Sequence, residues 1–165
     1  MYFFTSDTHY SDIEMLQVIP RPFKTIEQMD EALIKRFNER VKPEDTTFFL
    51  GDFRQGKGIL FNELVKRLNG NKIFIKGNHD LNNKTKTIIE SIIIEHFGYK
   101  ILLIHDPKNV KNNGFDLVFH GHVHKLWKYK KKMINVGVDV WDYYPVSIKT
   151  IIKGYLKWEK QIKSG

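Results

Sequence analysis

Lys76-Gly77-Asn78-His79-Asp80 sets an amide, an imidazole and a carboxylate directly behind a glycine, and that glycine follows the apolar run Ile73-Phe74-Ile75. A glycine at the end of a buried strand allows a sharp turn, which can aim all three side chains into one cleft. Four other segments repeat the arrangement. Phe3 to Ser6 leads into Asp7 and His9, Phe48 to Leu50 into Gly51-Asp52, Ile101 to Ile104 into His105, and Leu117 to Phe119 into His120-Gly121-His122-Val123-His124. Asp, Asn and His donors suit divalent ions such as Mn²⁺, Fe²⁺, Zn²⁺ or Ni²⁺. Two such ions about 3.5–4 Å apart can share a hydroxide and clamp a phosphoryl group, stabilising both the attacking and the leaving oxygen. A carboxylate must hold them that close, and Asp52, on its glycine-led turn, is the candidate. Asp7 with His9, and His122 with His124, are each two residues apart, so an extended backbone projects both members to one side. His120 is left out of the ligand set, as a supporting or simply buried histidine.

The elements that must position these groups are short apolar strands alternating with amphipathic helices, and open α/β sheets gather ligands at the carboxyl ends of their strands. Residues 10–24, with Pro20-Arg21-Pro22, read as a loop, and Arg21 is a candidate phosphate contact. Thr25 to Gln28 has the form of a capping box opening a helix over 26–41, where Ile26, Met29, Leu33, Phe37 and Val41 share a face. Leu60, Leu64, Val65 and Leu68 indicate a second helix. Asn82-Asn83-Lys84 is a polar connection, and a short helix or irregular stretch follows around 85–90. Two strands meet across Phe97-Gly98-Tyr99, and residues 106–114 form a rim loop. Leu126 to Tyr129 and Met133 to Val138 read as antiparallel strands joined by Lys130-Lys131-Lys132, and Ser147 caps a last helix.

The 165 residues suffice for one domain, taken as 1–165, and contain no cysteine, which excludes thiolate metal sites, disulfides and cysteine nucleophiles. Hydrophobic residues at 41% and charged residues at 28% are ordinary for a folded globular chain, which argues against disorder in the polar segments. No secretion signal or membrane-spanning run is visible, so a cytoplasmic location is expected. The net charge of +8 would attract polyanions, nucleotides and nucleic acid included. Lys125, Lys128 and Lys130 to Lys132 would form the patch of a nucleic-acid binder.

Asp7-Thr8-His9, Gly51-Asp52, Gly77-Asn78-His79-Asp80, His105 and Gly121-His122-Val123-His124 resemble, in order, the motif set of calcineurin-like metallophosphoesterases. Arg21-Pro22-Phe23, Asn135-Val136-Gly137-Val138-Asp139 and Pro145-Val146-Ser147 extend the likeness to small bacterial and phage members. The resemblance implies a four-layer α/β/β/α sandwich of two mixed sheets and a dinuclear phosphoesterase, with Mn²⁺ the leading metal, acting on phosphodiesters or phosphomonoesters by in-line attack of a metal-bridging hydroxide. It assigns Asp7, His9 and His124 to one metal, Asn78, His105 and His122 to the other, and Asp52 to both. His79 would stabilise or protonate the leaving oxygen, and Asp80 would orient its imidazole. Two departures bear on the substrate. Phe53-Arg54-Gln55-Gly56 replaces the Asp-Arg-Gly of protein phosphatases, so Arg54 is a displaced phosphate-contact candidate, and Ser11-Asp12 stands where relatives carry Gly-His. A phosphoprotein phosphatase and a catalytically silent, metal-stabilised binding module are the alternatives.

Overall fold

A computed structural model describes residues 1–80, 87–111 and 114–164. The Asn82-Asn83-Lys84 connection and the start of the stretch around 85–90 lie outside the described residues. Two sheets form the frame. The first contains β1 (Tyr2–Thr5), β2 (Thr46–Leu50), β3 (Asn71–Ile75) and a short β9 (Val146–Ser147) in the order β3-β2-β1-β9, with β9 antiparallel and the rest parallel. The second contains β4 (Ser91–His96), β5 (Tyr99–Ile104), β6 (Leu117–His120), β7 (Tyr129–Lys130) and β8 (Met133–Asn135) in the order β4-β5-β6-β8-β7. Its three inner strands are parallel and its two outer ones antiparallel.

The doubled phenylalanines of β1 and β2 follow from burial on both faces, because successive side chains of a strand point to opposite sides. Phe4 and Phe48 stack at 5.2 Å and face the second sheet, where Phe119 meets Phe4 edge-on at 5.0 Å. Phe3 and Phe49 face the other way, into a cluster with Met29, Leu33 and Phe37 of α2 (Ile26–Arg40) and Leu64 of α3 (Phe61–Arg67). Helix α4 (Ile148–Lys163) contributes Ile148, Ile151, Ile152 and Tyr155 to the cluster between the sheets. The architecture is the expected mixed α/β sandwich of two mixed sheets and helices. Thr25 and Ser147 cap α2 and α4 through their hydroxyls, which accept from the Gln28 and Thr150 amides at 3.2 Å each. No helix among the described residues is long and apolar enough to cross a membrane.

Three expectations need correction. Residues 10–24 are not all loop, because the Asp12 carboxylate accepts from the Met15 amide and starts a six-residue helix, α1 (Ile13–Val18). Leu126 to Lys128 do not form a strand. Bonds from the Val123 amide to the Gly121 carbonyl and from the Leu126 amide to the Val123 carbonyl hold a turn there, and the Asn135 amide group donates to the His124 and Trp127 carbonyls. The strand from Met133 ends at Asn135, and residues 138–140 make a 3-10 turn instead.

Candidate metal centre

The residues singled out from sequence converge. Asp7, His9 and His124 form one group and Asp52, His105 and His122 a second, each with its donor atoms within 4.8 Å of one another. Asn78 joins the second group, its Oδ1 lying 2.9 Å from His105 Nε2 and 3.0 Å from His122 Nδ1. Asp52 stands between the groups, with Oδ2 at 3.2 Å from His105 Nε2 and 3.7 Å from His9 Nε2.

The backbone that presents these side chains is unusual. Asp7, His9, Asp52, His122 and His124 all adopt positive φ, between 45° and 69°. Non-glycine residues rarely enter this left-handed region, and clusters of such residues mark sites whose geometry the surroundings impose. Two glycines make room for the turns. A side chain at Gly77 would strike the Asp52 carboxylate and amide, and one at Gly121 would strike Ser6 and Asp7. Asp80 sits beneath, accepting from the amides of Gly77 at 2.8 Å, Asp52 at 2.9 Å and Phe53 at 3.1 Å, so it locks two ligand turns together. That is a task beyond the one the resemblance assigns it. Burial pushes its carboxyl above the usual carboxylate range, against the pull of those amides.

Three of the imidazoles are oriented from behind. His9 Nδ1 donates to Asp12 at 2.9 Å, His124 Nδ1 to Asp139 at 2.9 Å, and His105 Nδ1 to the Leu50 carbonyl at 2.7 Å. With the proton on Nδ1, the Nε2 lone pair of each ring points at the cluster. His9 Nε2 is buried with no hydrogen-bond partner. A buried, unpartnered nitrogen lone pair beside carboxylates fits a cation, so this donor set suits divalent ions. Burial opposes charge on His105, but its bond to Asp52 and the fields of Asp7 and Asp52 push its pKa up to about 9. The same pairing outweighs burial at Asp52 and holds that carboxyl at about 2. Ion binding at this pair would compete with proton binding.

His79 lies at the exposed mouth, its ring 5.3 Å from that of His9 and its amide bonded to Asp52 Oδ1 at 2.9 Å. The two arginines offered as phosphate contacts are both buried. The Arg21 side chain is fully buried and bonds Asp139, Asp7 and Thr8, while Arg54, 7% exposed, donates to the Gly56 carbonyl of its own loop. His120 is buried on Trp127, its Nδ1 donating to the Gly121 carbonyl, and burial pulls its pKa down to about 4. Four of the five lysines of the suggested basic patch have contacts within the fold. Lys128 lies 4.0 Å over Trp141 and Lys130 5.7 Å over Trp127, while Lys125 and Lys132 bond the carbonyls of Pro20 and Phe115. Sequence reasoning missed Asp12 and Asp139 as partners of His9 and His124. The segment Asn135 to Asp139 stood out as a motif, but nothing in it pointed to His124.

A family model described as the calcineurin-like phosphoesterase superfamily domain matches residues 2–143. An uncharacterized protein of Methanocaldococcus jannaschii is 39% identical over 158 residues, covering 90% of this chain and 87% of its own. The crystal structure of a protein of unknown function from Aquifex aeolicus superposes with a TM-score of 0.73 at 29% identity, covering 93% of this chain and 98% of that one. Vps29 of Chaetomium thermophilum, at 9% identity and a TM-score of 0.50 over 81% of this chain and 69% of that one, shares the fold.

Proposed function

The chain belongs to the calcineurin-like phosphoesterase superfamily, and we propose that it is a divalent-metal-dependent phosphoesterase acting on phosphodiesters or phosphomonoesters. The observation that carries this reading is the placement of Asp52, one of whose oxygens faces an imidazole of each ligand group. A shared carboxylate is what keeps two ions close enough to act on one phosphoryl group. Asp7, His9 and His124 would hold one ion, Asn78, His105 and His122 the other, with Asp52 between them. Bound divalent ions, Mn²⁺ foremost, supply Lewis acidity toward the phosphoryl oxygens and a water made nucleophilic near neutral pH.

The chain's own residues do the rest. Asp12, Asp139 and the Leu50 carbonyl keep three imidazoles in the tautomer that presents Nε2. His79, at the mouth and tied by its amide to Asp52, is placed to hydrogen-bond the leaving oxygen and pass it a proton. A cavity of about 610 Å³ opens beside Asn78 and His105, walled by Leu102, Ile104 and Phe115 with Lys76 and Lys111 on its lining. Its size and mixed lining suit the organic part of a small phosphate ester, such as a nucleotide. The cavity's size favours such a ligand over a nucleic-acid strand.

The test is hydrolysis of a chromogenic aryl phosphodiester and its monoester by metal-stripped protein, with Mn²⁺, Ni²⁺, Zn²⁺ or Mg²⁺ restored. Turnover that needs the ion and disappears in Asp52→Asn is the expected result. Protein that carries two ions yet turns over neither ester, with any metal, would overturn the reading in favour of a binding role.

A further inference from the structure

Arg21 lies outside both ligand groups, held between Pro20 and Pro22 in a segment that cannot become helix. Its side chain and that of Asp139 are both fully buried. A guanidinium has five N–H donors in one plane, and here they meet five acceptors. Nε and Nη2 take the two Asp139 oxygens at 3.0 Å each. Nη2 also reaches the Asp7 carbonyl at 2.7 Å, and Nη1 reaches the Thr8 carbonyl at 3.1 Å and Met29 Sδ at 3.4 Å. Asp139 Oδ2 then accepts from His124 Nδ1.

The consequence is a rigid link between two candidate ligands. One guanidinium joins the backbone that carries Asp7 to the carboxylate that orients His124, although Arg21 and Asp139 are 118 residues apart. Stability alone is a poor account of this pair, since burying both charges is costly and an apolar pair of similar volume often stabilises a fold as well or better. The contacts are also specific to arginine. A lysine ammonium would keep the charge but could not span two carboxylate oxygens and two carbonyls in a plane. Asp7 is held at φ 54°, in the left-handed region that a non-glycine residue keeps only where its surroundings fix it. The Arg21 bond to its carbonyl is one such restraint, beside the bond from its amide to the Gly51 carbonyl.

Building on the metal-dependent reading above, we propose that Arg21 and Asp139 are positioning residues for the group of Asp7, His9 and His124, fixing the separation of Asp7 and His124 for one ion without touching the second group. The measurement is calorimetric titration of the metal-stripped full chain with Mn²⁺, for wild type, Arg21→Lys, Asp139→Asn and His124→Ala. In Arg21→Lys and Asp139→Asn the affinity of one of two binding steps falls about 10–100-fold, the range for residues that orient a metal-bound histidine. The affected step is the one His124→Ala abolishes, and the other keeps its wild-type affinity. Co²⁺ loading adds a second readout, since only one ion's visible absorption should change.

Folded variants with two wild-type steps, or with both steps weakened equally, would overturn the inference and leave the pair as scaffold. Wild type that takes up no Mn²⁺ would overturn it too. Should Arg21→Lys fail to fold, Asp139→Asn, nearly identical in shape, decides alone. Loaded wild type that hydrolyses no ester would sink the phosphoesterase reading while leaving these binding steps fully readable.

Discussion

Behind His9 and His124 stand two carboxylates, Asp12 and Asp139, whereas behind His105 stands the neutral carbonyl of Leu50, and His122 is backed by Asp106 only at 3.7 Å. Exposure differs most at individual residues, with His105 buried and His124 20% exposed. Asp7 and His9 are essentially sealed, while the His122 side chain is 33% exposed. A carboxylate behind an imidazole fixes its tautomer and makes the far nitrogen a stronger donor. Burial works against ionisation at Asp12 and Asp139, yet the bonds from His9 and His124 keep both carboxyls below their usual range. Two groups of nearly the same composition should therefore differ in grip, the first retaining its ion and the second, open to the cavity, exchanging it. The difference resides in what backs the ligands, not in the ligands.

The largest effect expected is at Asp52, which lies between the two groups. Asp52→Asn should lower turnover by about 10³-fold or more, the several kcal/mol that ions contribute to transition-state charge, and weaken both binding steps. A loss confined to one step would break the symmetry assigned to this residue. Next is His79→Ala, expected to cost about 10²-fold on esters with poor leaving groups, with two ions still bound by elemental analysis. Loss of an ion there would make His79 a ligand rather than an acid. Asp12→Asn should weaken one binding step by about tenfold and leave the other untouched, and an equal effect on both would erase the contrast drawn above. Smallest is Lys128→Ala, which belongs to neither group. It should cost about 0.5–1 kcal/mol in chemical denaturation through the lost contact with Trp141, with unchanged ion titrations.

The placement of donors at strand ends was legible because it depends on local pattern alone. Apolar runs of three residues leading into Gly-Asp or Lys-Gly-Asn-His-Asp place Asp52 and Asn78 wherever the sheet goes. What backs them was not legible. Asp139 meets His124 through a backbone path that bends at Gly137 and a 3-10 turn, and meets Arg21 across 118 residues. Arg21 was offered as a candidate phosphate contact, because a basic residue beside prolines gives no sign of being buried. Helix α1 was hidden since its cap, Asp12, looked like a substitution in a motif rather than the start of a helix. The left-handed residues were invisible for a related reason, as tertiary bonds, not their own preferences, hold Asp7 and His9 there.

Those left-handed residues also bear on how this protein can change. At about 1–2 kcal/mol apiece for a non-glycine side chain, Asp7, His9, Ser11, Asp52, His122 and His124 together oppose folding by an amount comparable to the whole net stability of an ordinary domain. The aromatic layers around Phe4, Phe49 and Phe119 must supply that surplus. Durability and activity thus draw on one reserve. Selection for heat resistance alone would favour relaxing these turns first, so a laboratory lineage evolved without an activity screen should lose its ligands before it loses its core.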